Sequence, residues 1–317
     1  MNAAATRLVS LLPAATEIVA ALGLADRLVG RSHECDEPAS VATLPALTAA
    51  RIDTLGTSRQ IHDAVGRALA DTASGAATSN ALYTLDTARL AALSPDLILT
   101  QAACDVCAIA ADDVRAAVRA MSVPARVLEL SPAMLADVYA DILAVGTATG
   151  ALAKAHEVVA RLRARVRSVA CRVQAARQAE AYPTVAMLEW LDPPMAAGNW
   201  VPELVAHAGG HDVLGKPGEH SHWITWDDVI AADPDVVILV PCGFTLDRVV
   251  GEAEAPAIRN RLKMLRAFRA GRVHAVDGHH LFNRPGPRLI DSLEVLAELL
   301  HPGMFSFPTT PRFARTL

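Results

Sequence analysis

Several cysteines, imidazoles and indoles stand just after short apolar runs, and their types suit the binding of a metal or a flat ligand. Cys104 and Cys107 form a C-x-x-C pair, a spacing that lets two sulfurs from one turn reach one metal ion or each other. His33 and Cys35 lie in Ser32-His33-Glu34-Cys35-Asp36 after a different apolar run. A fold that brings these two loops together supplies three thiols and an imidazole, a set suited to a soft metal. His33, Cys35, Cys104 and Cys107 are therefore the candidate metal ligands. The same residues also fit a thiol redox pair, or small side chains packed within a site, since free cysteine is among the most buried residue types.

The second half of the chain carries all four tryptophans. Trp190 follows an apolar run, and Trp223 closes the polar run His220-Ser221-His222-Trp223; large rings so placed can stack on a flat ligand. Trp200 and Trp226 fit core packing equally well. Glu34, Gln101, His222, Cys242, His280, Phe282 and Arg284 complete the candidate ligand contacts, because each lies on or beside a loop that follows an apolar run. His279 and His280 also fit a solvated surface pair. Arg284 and Arg288 suit either an anionic ligand group or the capping of the next helix.

The elements that must hold these loops alternate between strand and helix. Leu8–Leu12 reads as a strand ending at Pro13, followed by a helix and a second strand, Leu28-Val29-Gly30. Helices are expected over 85–93 and 111–121, with strands over 96–100 and 126–129. After Pro183 the pattern resumes, with strands at 184–188, 235–240 and 272–276 and helices over 201–208, 226–232, 257–270 and 290–300. Such alternation predicts an α/β fold, two Rossmann-like lobes with parallel sheets covered by helices. From 151 to 182 there is neither Gly nor Pro, and Leu152, Val159, Leu162, Val166, Val169 and Val173 fall on one helical face. A helix of that length measures about 45 Å and is read as the long connector joining the lobes. The expected organisation is an N-terminal lobe over 1–132, a helical connector over 133–182 and a C-terminal lobe over 183–317. Ligands of open parallel sheets sit beyond the carboxyl ends of the strands, which here means a site in the cleft between lobes.

The 317 residues, 52% hydrophobic and 20% charged with a net charge of −5, suit two cored lobes. Scattered arginines make no basic patch of the kind that nucleic acid requires, so no nucleic-acid partner is expected. No apolar run is long enough to span a membrane. The opening residues, with one Arg before Pro13, do not read as a secretory signal. The expected location is the cytoplasm, or the periplasm if the true start lies upstream. Neither a nucleophile elbow nor a phosphate-cradling loop is present, so hydrolase and NTPase readings are poor, and the leading expectation, which the resemblance given next supports, is a monomeric binding protein with no chemistry of its own. The alternative reading is a cytosolic metalloprotein or thiol-redox enzyme that uses the His/Cys cluster for zinc or an iron-sulfur centre.

Three segments carry a resemblance: Val9-Ser10-Leu11-Leu12-Pro13-Ala14-Ala15-Thr16-Glu17-Ile18, Leu93-Ser94-Pro95-Asp96-Leu97-Ile98 and Ala232-Asp233-Pro234-Asp235-Val236-Val237-Ile238. Over about residues 7–300 the sequence resembles the class III periplasmic-binding superfamily of iron-siderophore and cobalamin binders. The loops 32–36, 104–108 and 283–288 resemble its cobalamin-binding subgroup. The resemblance implies a rigid two-lobed binder with cobalamin or a related metal chelate as its small-molecule ligand, delivered to an ABC permease. Residues 54–84 depart from the family pattern as an insertion.

Overall fold

The computed structural model describes residues 4–74, 82–101, 111–121, 125–176 and 182–317. The chain divides into two compact units. The first comprises residues 1–56, 63–132 and 136–161; the second comprises 57–62, 133–135 and 162–317.

From the N-terminus, β1 (Leu8–Ser10) leads into α1 (Pro13–Ala21), then β2 (Leu28–Arg31), β3 (Thr48–Ala50), α2 (Ser58–Ala73) and β4 (Tyr83–Leu85). α3 (Thr87–Leu93), β5 (Leu97–Gln101), α4 (Ala111–Arg119), β6 (Arg126–Leu130), α5 (Leu135–Thr149) and α6 (Leu152–Ala176) follow. The main sheet has the order β2-β1-β5-β6 with every pair parallel, while β3 and β4 form a small antiparallel ribbon. Val9, Leu11, Ile98, Leu90 and Val114 are buried together and join the sheet to α3 and α4. Pro13 opens α1, where the missing N–H costs nothing.

Beyond α6 come β7 (Thr184–Leu191), β8 (Pro194–Ala196), α7 (Val201–His207), β9 (His211–Asp212), β10 (His222–Trp223), α8 (Trp226–Ala232) and β11 (Val236–Leu239). They continue into α9 (Leu246–Glu254), α10 (Pro256–Leu262), α11 (Arg266–Arg269), β12 (Val273–Val276), α12 (Leu289–Leu300), α13 (Thr310–Phe313) and β13 (Ala314–Thr316). Their sheet has the order β10-β8-β7-β11-β12-β13, with β9 also paired to β7. β7, β11 and β12 are parallel and mostly buried, whereas β8 and the edge strands β10 and β13 are added antiparallel. These edges carry no long apolar run and left little trace in the sequence.

Both units use the same device where the Pro-Asp motif stands. In the first, Asp96 accepts hydrogen bonds from Thr6 N (2.8 Å), Thr6 Oγ1 (3.1 Å) and Arg7 N (3.1 Å). In the second, Asp235 accepts from Thr184 N (2.8 Å) and Thr184 Oγ1 (2.7 Å). In each case the carboxylate just before one parallel strand satisfies donors at the start of its neighbour. The preceding helix ends in a left-handed residue, Ser94 (φ 46°) or Asp233 (φ 35°), that turns the chain back to the sheet.

Three sequence expectations change. The helix expected over 257–270 is two helices, α10 and α11, because Leu265 is extended (ψ 143°) and fully buried. Asp233 Oδ1 then accepts from Arg266 N at 2.9 Å and caps the second helix. The helix expected from Leu85 starts at Thr87, since Asp86 accepts from Arg89 N as its N-cap and Leu85 belongs to β4. Leu152 is 41% exposed, so the apolar stripe of α6 begins with Ala155, Val158 and Val159. The division between units falls inside α6, at 161/162. Among the described residues no helix is long and apolar enough to cross a membrane.

Candidate functional site

In the second unit, β7, β11 and β12 are neighbours in the sheet, so the loops at their carboxyl ends lie side by side. The β11 and β12 loops are knitted together. Gly278 N and His279 N donate to Phe244 O at 2.9 and 3.0 Å, and Gly243 N donates to Gly278 O at 3.3 Å. Asn283 Nδ2 donates to Val240 O and Gly278 O. A Cβ on Gly278 would collide with the Pro241 carbonyl, which is why glycine stands there. Cys242 N donates to Glu189 O at 3.1 Å and ties in the β7 end.

On this platform Trp190 is half-buried and meets Phe244 edge to face at 5.4 Å between centroids. Its indole Nε1 donates to Ser58 O at 3.2 Å. Ser58 heads α2 and is fully buried, with its amide and hydroxyl both donating to Glu252 Oε1. Arg59 pairs with Asp192, and His62 meets Trp223 edge to face at 4.8 Å. Thr57 and Gln60 close this turn reciprocally, Thr57 N to Gln60 Oε1 and Gln60 N to Thr57 Oγ1. That capping box is legible as Thr57-Ser58-Arg59-Gln60, yet sequence reading passed over it within the insertion.

Asp277, 5% exposed at the end of β12, organises the next turn. Its Oδ1 accepts from His279 N (3.0 Å), His280 N (2.8 Å) and His280 Nδ1 (3.1 Å), and its Oδ2 from Leu246 N (3.2 Å). Burial pushes the Asp277 carboxyl upward, but the donors from His280 and Leu246 outweigh it and hold the group below its usual range. Arg284, 6% exposed, reaches His279 Nε2 at 3.0 Å. Phe282 is 1% exposed with φ 63°, and its carbonyl accepts from Trp200 Nε1 at 2.7 Å. Its ring therefore supports the loop from within the core. Trp226 donates to Leu191 O. His222 and Trp223 lie exposed on β10, with Trp223 53% exposed. Cys242 is partly exposed and in no disulfide.

In the first unit, the loop after β2 turns its side chains in different directions. Cys35 is 1% exposed, with its Sγ 3.0 Å from Thr16 Oγ1 and 3.1 Å from Ser32 Oγ. Thr16 Oγ1 also reaches Ser10 Oγ at 2.8 Å. His33 Nδ1 instead meets Thr48 Oγ1 at 2.7 Å. Burial lowers the His33 imidazole from its ordinary value, Glu34 opposing and Arg31 assisting. Glu34 is exposed, and Gln101 is half-buried at the end of β5. Cys104 and Cys107 lie outside the described residues.

A family model described as periplasmic binding protein matches residues 8–262. Among solved structures, a periplasmic heme-binding protein from Pseudomonas aeruginosa is 21% identical, with 98% of this chain and 97% of that one covered and a TM-score of 0.72. A periplasmic vitamin B12 binding protein of Vibrio cholerae is 18% identical, covering 93% and 96%, with a TM-score of 0.65. An ABC-type Fe3+-hydroxamate transport system from Saccharomonospora viridis is 21% identical, covering 94% of each chain, with a TM-score of 0.64. At these identities the likeness concerns the fold. No curated protein matches the sequence.

Proposed function

Since the chain belongs to the periplasmic binding protein family, we propose that it is a solute-binding protein whose ligand is a metal chelate, cobalamin or another corrinoid foremost, handed on to an ABC permease. The observation that carries this reading is the platform at the ends of β7, β11 and β12. There the half-buried Trp190, edge to face with the buried Phe244, offers ring surface, and the half-buried imidazoles of His279 and His280 stand on the β12 loop knitted to that of β11. Aromatic surface favours a large flat ligand and imidazole nitrogen favours a metal at its centre. The knitted loops hold these groups before the ligand arrives, which spares the binding free energy that ordering them would consume. Heme, vitamin B12 and Fe3+-hydroxamate, named for the structural neighbours, are all metal chelates. Family membership also favours a location outside the cytoplasm over the cytoplasmic one that the opening residues suggested.

Titration of the apo-protein with aquacobalamin, read by the corrin absorption and by tryptophan fluorescence, is expected to give saturable one-to-one binding. Absence of binding at micromolar concentrations of aquacobalamin, ferric protoporphyrin and a ferric trihydroxamate would refute the reading.

A further inference from the structure

The segment read as an insertion, 54–84, contributes residues 57–62 to the second unit, and they grip the end of β7. Trp190 Nε1 donates to Ser58 O at 3.2 Å. An indole has one donor and no acceptor, so a single carbonyl placed at that N–H selects one orientation of the ring. The carbonyl is itself held, because Ser58 is fully buried and its amide (3.0 Å) and hydroxyl both donate to Glu252 Oε1 on α9. One turn earlier on α9, the Arg248 guanidinium lies 3.8 Å over the Phe244 ring, which meets Trp190 edge to face. Residues four apart share a helix face, so one face of α9 braces the indole twice, through Phe244 and through Ser58. Arg59 with Asp192 and His62 with Trp223 flank this grip. The ion pair of Arg59 and Asp192, with side chains 49% and 32% exposed, contributes little. Hydrogen bonds from a fully buried residue to a charged group contribute more. The Ser58–Glu252 pair therefore decides whether the turn stays docked.

Resting on the proposed chelate-binding function, we infer that residues 57–62 form a clamp belonging to the ligand site, in which Ser58 is the positioning residue for Trp190 and Glu252 holds Ser58. A ring fixed in this way offers stacking surface to a flat macrocycle without first having to be ordered. A compact chelate with no flat ring system gains little from it, so the clamp favours corrinoids and porphyrins.

The test measures hydrogen exchange of the Trp190 indole N–H by NMR, assigned through its loss in Trp190→Phe, and the affinities of the full chain for aquacobalamin, ferric protoporphyrin IX and a ferric trihydroxamate. Glu252→Ala is expected to speed the exchange about 10-fold and to weaken both macrocycles about 10-fold, with the trihydroxamate within about 2-fold of wild type. Glu252→Gln keeps an acceptor oxygen for both Ser58 donors and is expected to restore slow exchange and affinity. Asp235→Ala, at the other end of β11, is expected to lower the melting point and leave both readouts unchanged, which separates positioning from a general loss of stability. If melting shows that Glu252→Ala fails to fold, Ser58→Ala, which removes one of the two bonds to Glu252, carries the comparison with changes of about 3-fold in the same sense. Unchanged indole exchange in the folded variant, or faster exchange with wild-type affinity for both macrocycles, would overturn the clamp and leave the binding function standing. An equal loss for the trihydroxamate would overturn the preference for flat ligands. A wild type that binds only the trihydroxamate would overturn the part of the clamp in recognition, and failure of all three probes would overturn both readings.

Discussion

Replacing Asp235 tests the account of how the Pro-Asp motif holds the second sheet. Asp235→Ala removes the acceptor of Thr184 N (2.8 Å) and Thr184 Oγ1 (2.7 Å) and an ion pair with Arg266 at 3.3 Å. Hydrogen bonds to a charged group contribute about 1.5–3 kcal/mol each. The Asp235 side chain is 38% exposed, so solvent screening roughly halves the sum and leaves the ion pair almost nothing, for a loss of about 2 kcal/mol. For a unit of this size that lowers the midpoint of its thermal transition by about 4–8 °C near neutral pH. Asp235→Asn keeps one acceptor oxygen and should lose about half as much. Burial pushes this carboxyl upward, but Thr184, Arg266 and Arg272 together hold it below its usual range. Its contribution is therefore complete above the unfolded value of about 3.9 and is lost as pH falls through the lower folded value. Calorimetry of wild type and Asp235→Ala should show a gap that narrows below about pH 4. A midpoint within about 1 °C of wild type near neutrality, or a gap that persists unchanged in acid, refutes the reasoning.

Two further outcomes follow from other parts of the second unit. Gly278→Ala forces a Cβ into the Pro241 carbonyl; a stability loss of about 1–3 kcal/mol and weakened chelate binding are expected by melting and titration, and unchanged values of both would contradict the platform described. His274 on β12 is 6% exposed, and burial, with Arg272 assisting, lowers its imidazole to about 4. Between about pH 6.5 and that value the unfolded chain binds a proton that the folded chain refuses, so stability falls as pH falls and levels off below it. His274→Gln should flatten that part of the profile in pH-resolved denaturation.

What the sequence reveals here depends on how local the deciding interaction is. The Pro-Asp motifs were visible because helix stop, carboxylate and strand sit within a few residues. The central strands β7 and β11 were visible because burial on both faces makes a continuous apolar run. α10 and α11 were read as one helix because the deciding contact, Asp233 to Arg266, spans 33 residues. The direction of side chains in the loop after β2 was likewise hidden. His33 and Cys35 are two residues apart, yet one meets Thr48 and the other the Thr16 and Ser32 hydroxyls. Loop backbone has no fixed period from which to read such a difference, whereas a helix or strand does.

The placement of glycine and aspartate after β12 explains why chemistry can vary on this platform without disturbing the fold. Gly278 lets the loop pass against Pro241, and Asp277 gathers three backbone N–H groups, so the turn is set by backbone contacts and one carboxylate. Phe282 and Trp200 brace it from the core side through a single N–H to carbonyl bond. The positions that remain half-buried, Trp190, Cys242, His279 and His280, contribute side chains to the surface while the shape of the turn is held by others. Preorganised groups lose little entropy on binding, so exchanging one of these four side chains should change ligand affinity far more than whether the unit folds.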